Sequence, residues 1–128
     1  MFFKRNRSVT PEHLDKGAQA EKSAEFFLRS KGLVLCDKNY RCRGGEIDLI
    51  MRDADTLVFV EVRLRSNQRF EQASESVDYR KQQKIIRAAQ HYLLEKNLMD
   101  KMPCRFDVVA LSSSENSSIE WIPNAFQT

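Results

Sequence analysis

A chain of 128 residues is long enough to close one hydrophobic core and too short for two, so a single site is to be sought. With 41% hydrophobic and 30% charged residues, four glycines and three prolines, collagen-like and low-complexity architectures are excluded. The net charge of +3 suits a phosphate-rich partner without requiring one.

Two phenylalanines followed by Lys4, Arg5 and Arg7 open the chain without the apolar run of a signal peptide or membrane span. Residues 1–9 are expected to form a loose basic arm ahead of one domain at 10–128. Cys36, Cys42 and Cys104 are odd in number and lack CxxC spacing, which supports neither a disulfide framework nor a zinc knuckle. A reducing, cytoplasmic compartment is expected, with no membrane partner.

Thr10, Pro11 and Glu12 combine a hydroxyl cap, a first-turn proline and an acid, predicting a helix from there to about Lys31 that stops at Gly32. Leu14, Gly17, Ala18, Ala24 and Leu28 share one face, and steps of about 100° per residue put Glu21 in the middle of it, pointing inward. Leu33 to Asp37 reads as a strand, followed by a polar stretch through Arg41, Arg43 and Gly44-Gly45. Glu46 to Arg52 and Leu57 to Leu64 read as two strands, and the turn residues of Asp53 to Thr56 make them a hairpin.

Ser74 or Ser76 can cap a second helix reaching about Lys96, with Ile85, Ala88, Ala89 and Tyr92 on its inner stripe and Lys81 on the same stripe. Arg105 to Leu111 and Ser118 to Ile122 close the fold as strands joined by a Ser/Glu/Asn-rich loop. The order predicts an α/β domain, a mixed β-sheet of about five strands with a long N-terminal helix and a second helix packed on it. Apolar residues on both faces of the hairpin, Ile47, Leu49 and Ile50 with Val58, Phe59, Val60 and Val62, mark it as central and covered.

A turn centred between Ala54 and Asp55 sets Arg52 opposite Leu57 and Asp48 opposite Glu61. Like charges so placed, with β-carbons about 5 Å apart, destabilise a sheet unless something cationic compensates. The next pair outward, Glu46 with Arg63, satisfies itself and leaves the inner acids uncovered. Mg²⁺ or Mn²⁺ fits that gap, since either takes oxygen ligands and keeps several waters. Glu21 completes an acidic pocket if its helix covers that face of the hairpin. Against this stand ordinary salt bridges from Arg41, Arg43 or Arg52, and a one-residue slip would send Asp48 and Glu61 to opposite faces. Lys81 either lays its stem on apolar surface or supplies an ammonium. His13 and His91 are isolated, and neither a Gly-rich phosphate loop nor a Ser/His/Asp order is present.

Gly17 with Glu21, the string Arg43-Gly44-Gly45-Glu46-Ile47-Asp48-Leu49-Ile50, the string Val58-Phe59-Val60-Glu61-Val62-Arg63, Lys81 and Arg105-Phe106-Asp107-Val108-Val109 together resemble the YraN-like family of predicted bacterial endonucleases. The likeness spans about Gly17 to Val109. That family is similar to the Holliday-junction resolvases and belongs with the restriction-endonuclease-like PD-(D/E)xK nucleases. The resemblance implies a restriction-endonuclease-like fold, Asp48 and Glu61 as paired metal acids, Glu21 as the helical acid of the resolvase branch, branched or single-stranded DNA as substrate, and a homodimer. It also carries a departure, because the motif lysine is here Arg63, which keeps the charge but stays protonated and cannot act as a base. The metal can instead acidify the water, or Lys81 can supply the ammonium.

Two readings follow. In the first, the chain hydrolyses DNA phosphodiesters with Glu21, Asp48, Glu61, Arg63 and Lys81. In the second it is a non-catalytic nucleic-acid-binding module, in which Arg41, Arg43, Arg65, Arg69 and the basic arm contact phosphates. A protein-interaction domain is a third, lesser alternative.

Overall fold

The computed structural model describes residues 12–65, 77–112 and 118–128, with side chains from residue 16 onward. The basic arm, the proposed cap at Thr10 and Pro11, Arg69, Ser74 and Ser76 lie outside the described residues.

Helix α1 (Glu12–Ser30) buries Ala20, Ala24 and Leu28, one residue per turn along a single stripe. Glu21 therefore flanks the buried stripe instead of occupying its middle, and Ala18 is exposed. The helix ends as expected, at Gly32, whose φ of 98° lets the Leu33 N–H donate back to the Leu28 carbonyl at 3.1 Å.

Strand β1 (Val34–Cys42) runs past Asp37 through the arginine-bearing stretch and turns in two residues, Arg43 and Gly44, into β2 (Gly45–Asp53). Strand β3 (Thr56–Arg65) follows the Ala54-Asp55 turn, and the pairs from Asp53–Thr56 to Leu49–Val60 keep the expected register. Helix α2 (Tyr79–Glu95) crosses to β4 (Cys104–Ser112), and β5 (Ile119–Phe126) completes a five-stranded mixed sheet in the order β1-β2-β3-β4-β5. Only β3 and β4 are parallel.

The helices cover opposite faces. Leu49, Met51, Val58, Val60, Val109 and Leu111 pack with Ala20, Ala24 and Leu28 of α1. Ile50, Leu57, Phe59, Phe106 and Val108 pack with Ile85, Ala88, Ala89 and Tyr92 of α2. Residues alternating along β3 thus feed two cores, as a strand buried on both faces must.

Three further features differ from expectation. The cap of α2 is Asp78, whose carboxylate accepts the Lys81 N–H at 2.8 Å, so the helix begins later than either serine implies. Strand β5 continues through Pro123 because it is an edge strand, where a missing N–H costs no ladder bond on the outer side. Glu46 does not face Arg63: it pairs with Arg41 across the β1–β2 hairpin, at 3.3 Å, because the short Arg43-Gly44 turn brings β1 onto that edge of β2.

One buried acid is structural. Asp107 is fully buried and accepts from Arg105 Nε at 3.0 Å, Trp121 Nε1 at 2.9 Å and the Asn124 backbone N–H at 2.9 Å. Its carboxylate thereby fastens β5 to β4 where their register shifts, between Phe106 and Val108.

Candidate active site

The site begins with a break in alternation. Leu49 belongs to the α1-side core, yet Ile47, two residues earlier, belongs to the α2-side core. The neighbouring strand turns over at the same level: Lys38 reaches Glu25 of α1 at 3.8 Å, while Tyr40 packs on the α2 side. Between these pairs lie Asn39, at a φ of 53°, and Asp48. Asp48 therefore sits where the sheet changes face, within electrostatic reach of Glu21 from α1 and of Lys81 from α2.

The β2–β3 ladder stops at the pair Leu49–Val60, and the Asp48 side chain takes over, its Oδ2 accepting the Val62 N–H at 2.8 Å. Glu61 is one residue beyond Val60, on the α2 face with Leu57 and Phe59. Its side chain is 5% exposed, and the two carboxyls stand within hydrogen-bonding reach of each other.

Burial and the charge of Asp48 push the Glu61 carboxyl up to about 7. Asp48 is also raised, chiefly by burial, although the Val62 N–H opposes this. Glu21 is raised by partial burial and by Asp48, while a hydrogen bond from Asn39 pulls the other way. Burial leads in all three groups, and repulsion between neighbouring carboxylates adds to it.

Two cations address Glu61. Lys81 Nζ is 3.5 Å and Arg63 Nη1 3.7 Å from its Oε2, both longer than a tight charge-assisted hydrogen bond. Neither restores the Glu61 carboxyl to its ordinary range. Lys81 stays 42% exposed, with its stem at the edge of α2's buried stripe and its ammonium at the acids.

From Lys81 a groove of about 400 Å³ opens between the β1–β2 hairpin and α2, lined by Arg41, Arg43, Gly44, Gly45, Glu46, Lys84 and Ile85. Gly45 forms its floor under strict constraint: a β-carbon there would lie 2.4 Å from the Lys84 carbonyl oxygen. The hairpin can approach α2 this closely only with glycine at that position.

Among the described residues, no three His, Cys, Asp or Glu side chains come close enough together to hold a metal ion. The donor set on offer is the pair Asp48 and Glu61, with Glu21 standing off on α1. A two-carboxylate set suits Mg²⁺ or Mn²⁺, which keep waters and accept substrate oxygens. The residues therefore fit a hard divalent ion, and the raised carboxyls of Asp48 and Glu61 are the observation that favours one.

Of the arginines expected to meet phosphates, Arg41 and Arg43 are exposed at the groove. Arg65 is a correction: its side chain is 8% exposed and pairs with Glu120 of β5 at 3.3 Å, because the parallel β4 and its edge partner β5 extend beside the end of β3. Asn39, beside Glu21, and Lys84, in the groove, are not singled out by sequence pattern. Asn39 left one trace, a β-disfavoured residue inside a strand at the level of Asp48.

Residues 20–111 match the family described as Uncharacterised protein family UPF0102. A UPF0102 protein of Nitrosospira multiformis is 59% identical over 111 residues, covering 87% of this chain and 92% of its own. Another, of Nitrosomonas europaea, is 53% identical over 112 residues, covering 88% and 93%. A third, of Hahella chejuensis, is 50% identical over 113 residues, covering 88% and 90%. The family match takes in Glu21, Asp48, Glu61 and Lys81, and the chain belongs to the UPF0102 family.

Proposed function

We propose that this chain is a divalent-metal-dependent nuclease that hydrolyses DNA phosphodiesters, with branched or single-stranded DNA as the substrate class suggested by the resemblance to YraN-like endonucleases. The observation that carries the reading is the pair of half-buried Asp48 and buried Glu61, both carboxyls raised, which Lys81 links to an arginine-lined groove. Burial and the neighbouring Asp48 together outweigh the two nearby cations at Glu61, so the carboxyl stays raised with Lys81 at 3.5 Å and Arg63 at 3.7 Å.

Mg²⁺ or Mn²⁺ bound here would supply charge neutralisation and acidify the attacking water. Asp48 and Glu61 are the residues that would hold it, and Glu21, raised by partial burial and by Asp48, is the third carboxyl available to orient a water or take up a proton. Lys81, at 3.5 Å from Glu61, takes the part of the motif lysine as a movable ammonium for the scissile phosphate. Arg63 keeps its permanent charge for the developing phosphorane and cannot serve as base.

A second reading, a non-catalytic nucleic-acid-binding module, draws on Arg63 at the motif position and on Glu61 having two cations within 4 Å. Incubation with labelled flaps, junctions and single strands in Mn²⁺ or Mg²⁺ separates the two. Cleavage abolished by EDTA and lowered at least about a hundredfold by Asp48→Ala is expected. Absence of cleavage, or cleavage indifferent to Asp48→Ala, rejects the hydrolase; binding that persists in EDTA would then select the module.

A further inference from the structure

We propose that the solvent face of α2, with the Arg43-Gly44 turn beside it, is a phosphate track that grips the backbone of one nucleic-acid strand to one side of the carboxylate pair. The proposal deepens the nuclease reading, yet its binding step needs neither metal nor hydrolysis.

Charge on the two helices is distributed unequally. Along α2 stand Arg80, Lys81, Lys84 and Arg87, and no acid appears before Glu95. Helix α1 interleaves Glu12, Asp15, Glu21 and Glu25 with its own cations. Arg80, Lys84 and Arg87 fall at helical spacing on one exposed ridge. Seven residues of rise span about 10 Å, which faces about three successive phosphates of one strand at ~3.4 Å each along a duplex axis. Arg80 and Lys81 also occupy the first helical turn, where the macrodipole disfavours cations and where the only acid at that end is the cap, Asp78, whose carboxylate is given to the Lys81 N–H. Their charge is not explained by helix stability.

The hairpin joins this ridge. A β-carbon on Gly44 would meet the Arg87 side chain at 3.4 Å, so the Arg87 stem lies on the turn that carries Arg43. Glu46, the one acid lining the groove, is engaged by Arg41 at 3.3 Å. Lys81 belongs both to the groove and to the carboxylate pair, 3.5 Å from Glu61, so a strand lying along the track leads to the acids. A polyanion of regular charge spacing complements such a ridge.

The test is fluorescence anisotropy of a labelled oligonucleotide, single-stranded and duplex, with the full chain in EDTA across a salt series. The double variant K84E/R87E should lose more than about tenfold in affinity and lower the magnitude of the log–log salt slope by roughly 2, one per phosphate contact removed. The charge-matched control K16E/K101E, on exposed lysines outside the groove, should stay within about twofold. K84Q/R87Q, checked by its melting midpoint, provides the same comparison should charge reversal disturb folding. Equal losses in variant and control, no oligonucleotide binding by the parent chain, or competition by polyglutamate as effective as by unlabelled oligonucleotide would overturn the track. Cleavage that fails while track-dependent binding persists removes the hydrolase alone. Intact cleavage with unchanged binding by K84E/R87E removes the track alone.

Discussion

Glu61 concentrates the chemistry at the scale of one residue. Its folded carboxyl is raised from the ordinary 4.5 to about 7 by burial and by Asp48. Between those values the folded state keeps a proton that the unfolded state has released. The contribution of Glu61 to stability is therefore fully present below about pH 4.5 and lost as the pH rises through about 7. Asp48, raised by burial, acts with the same sign. In EDTA, Glu61→Gln should flatten the decline and stabilise the protein at pH 8 by on the order of 1–3 kcal/mol, because a neutral amide replaces a buried anion. Urea unfolding at pH 5 and pH 8 measures this. A parent chain with no pH dependence over that range, or a variant equally destabilised at both, would contradict the buried-anion account.

At the scale of elements, the contact between the β1–β2 hairpin and α2 holds the cationic side of the site in place. Gly45 lies under the Lys84 carbonyl, one helical turn from Lys81, and a methyl group there collides with backbone that no rotamer change can move. Gly45→Ala should cost about 1–3 kcal/mol and shift α2 away from Glu61, lowering cleavage as well as the melting midpoint. Gly44→Ala meets only the flexible Arg87 side chain at 3.4 Å and should change stability by less than about 0.5 kcal/mol. Equal effects of the two would mean that the close approach is not a constraint.

The same elements show which features are legible in the sequence. The β2–β3 register is, as far as the pair Leu49–Val60, because a two-residue turn fixes the pairing beside it and Ala54-Asp55 sits between two apolar runs. The proximity of Asp48 to Glu61 comes instead from the Asp48 side chain, which reaches the Val62 N–H where the ladder has stopped. The partner of Glu46 is not legible from that hairpin alone, because β1 pairs with β2 on its other edge through a two-residue turn of its own and sets Arg41 opposite Glu46. Arg65 looks like a surface cation by type, and its burial and its pairing with Glu120 of β5, two strands away, are set by the tertiary fold. Glu21 is displaced from the predicted stripe because its true centre is set by what α1 packs on, Val58, Val60 and Leu49, which periodicity cannot know.

Across the whole molecule, the sheet joins two cores that meet different helices, and the site lies where strands β1 and β2 pass from one core to the other. Asp48 and Glu61 are thus framed by tightly packed residues on both sides, so their repulsion cannot be relieved by moving apart without disturbing packing. A ligand that balances the charge should stabilise the entire fold, since it binds the assembled pair and not the separated side chains of the unfolded chain. Saturating Mn²⁺ or Mg²⁺, at about a hundred times its dissociation constant, contributes about 2.7 kcal/mol, which for a domain of this size raises the melting midpoint by several degrees over EDTA. The rise should be larger at pH 8 than at pH 5.5, because protons compete for the same oxygens below the raised Glu61 value of about 7. Asp48→Ala should abolish the metal-dependent rise while relieving part of the metal-free penalty, so its midpoint in EDTA falls less than the loss of a buried hydrogen-bonded carboxylate otherwise implies. Scanning calorimetry of both chains at both pH values separates these terms without any substrate. An identical metal response in parent and variant would move the ion to some other part of the surface, and a response independent of pH would remove the carboxylate pair as its ligands.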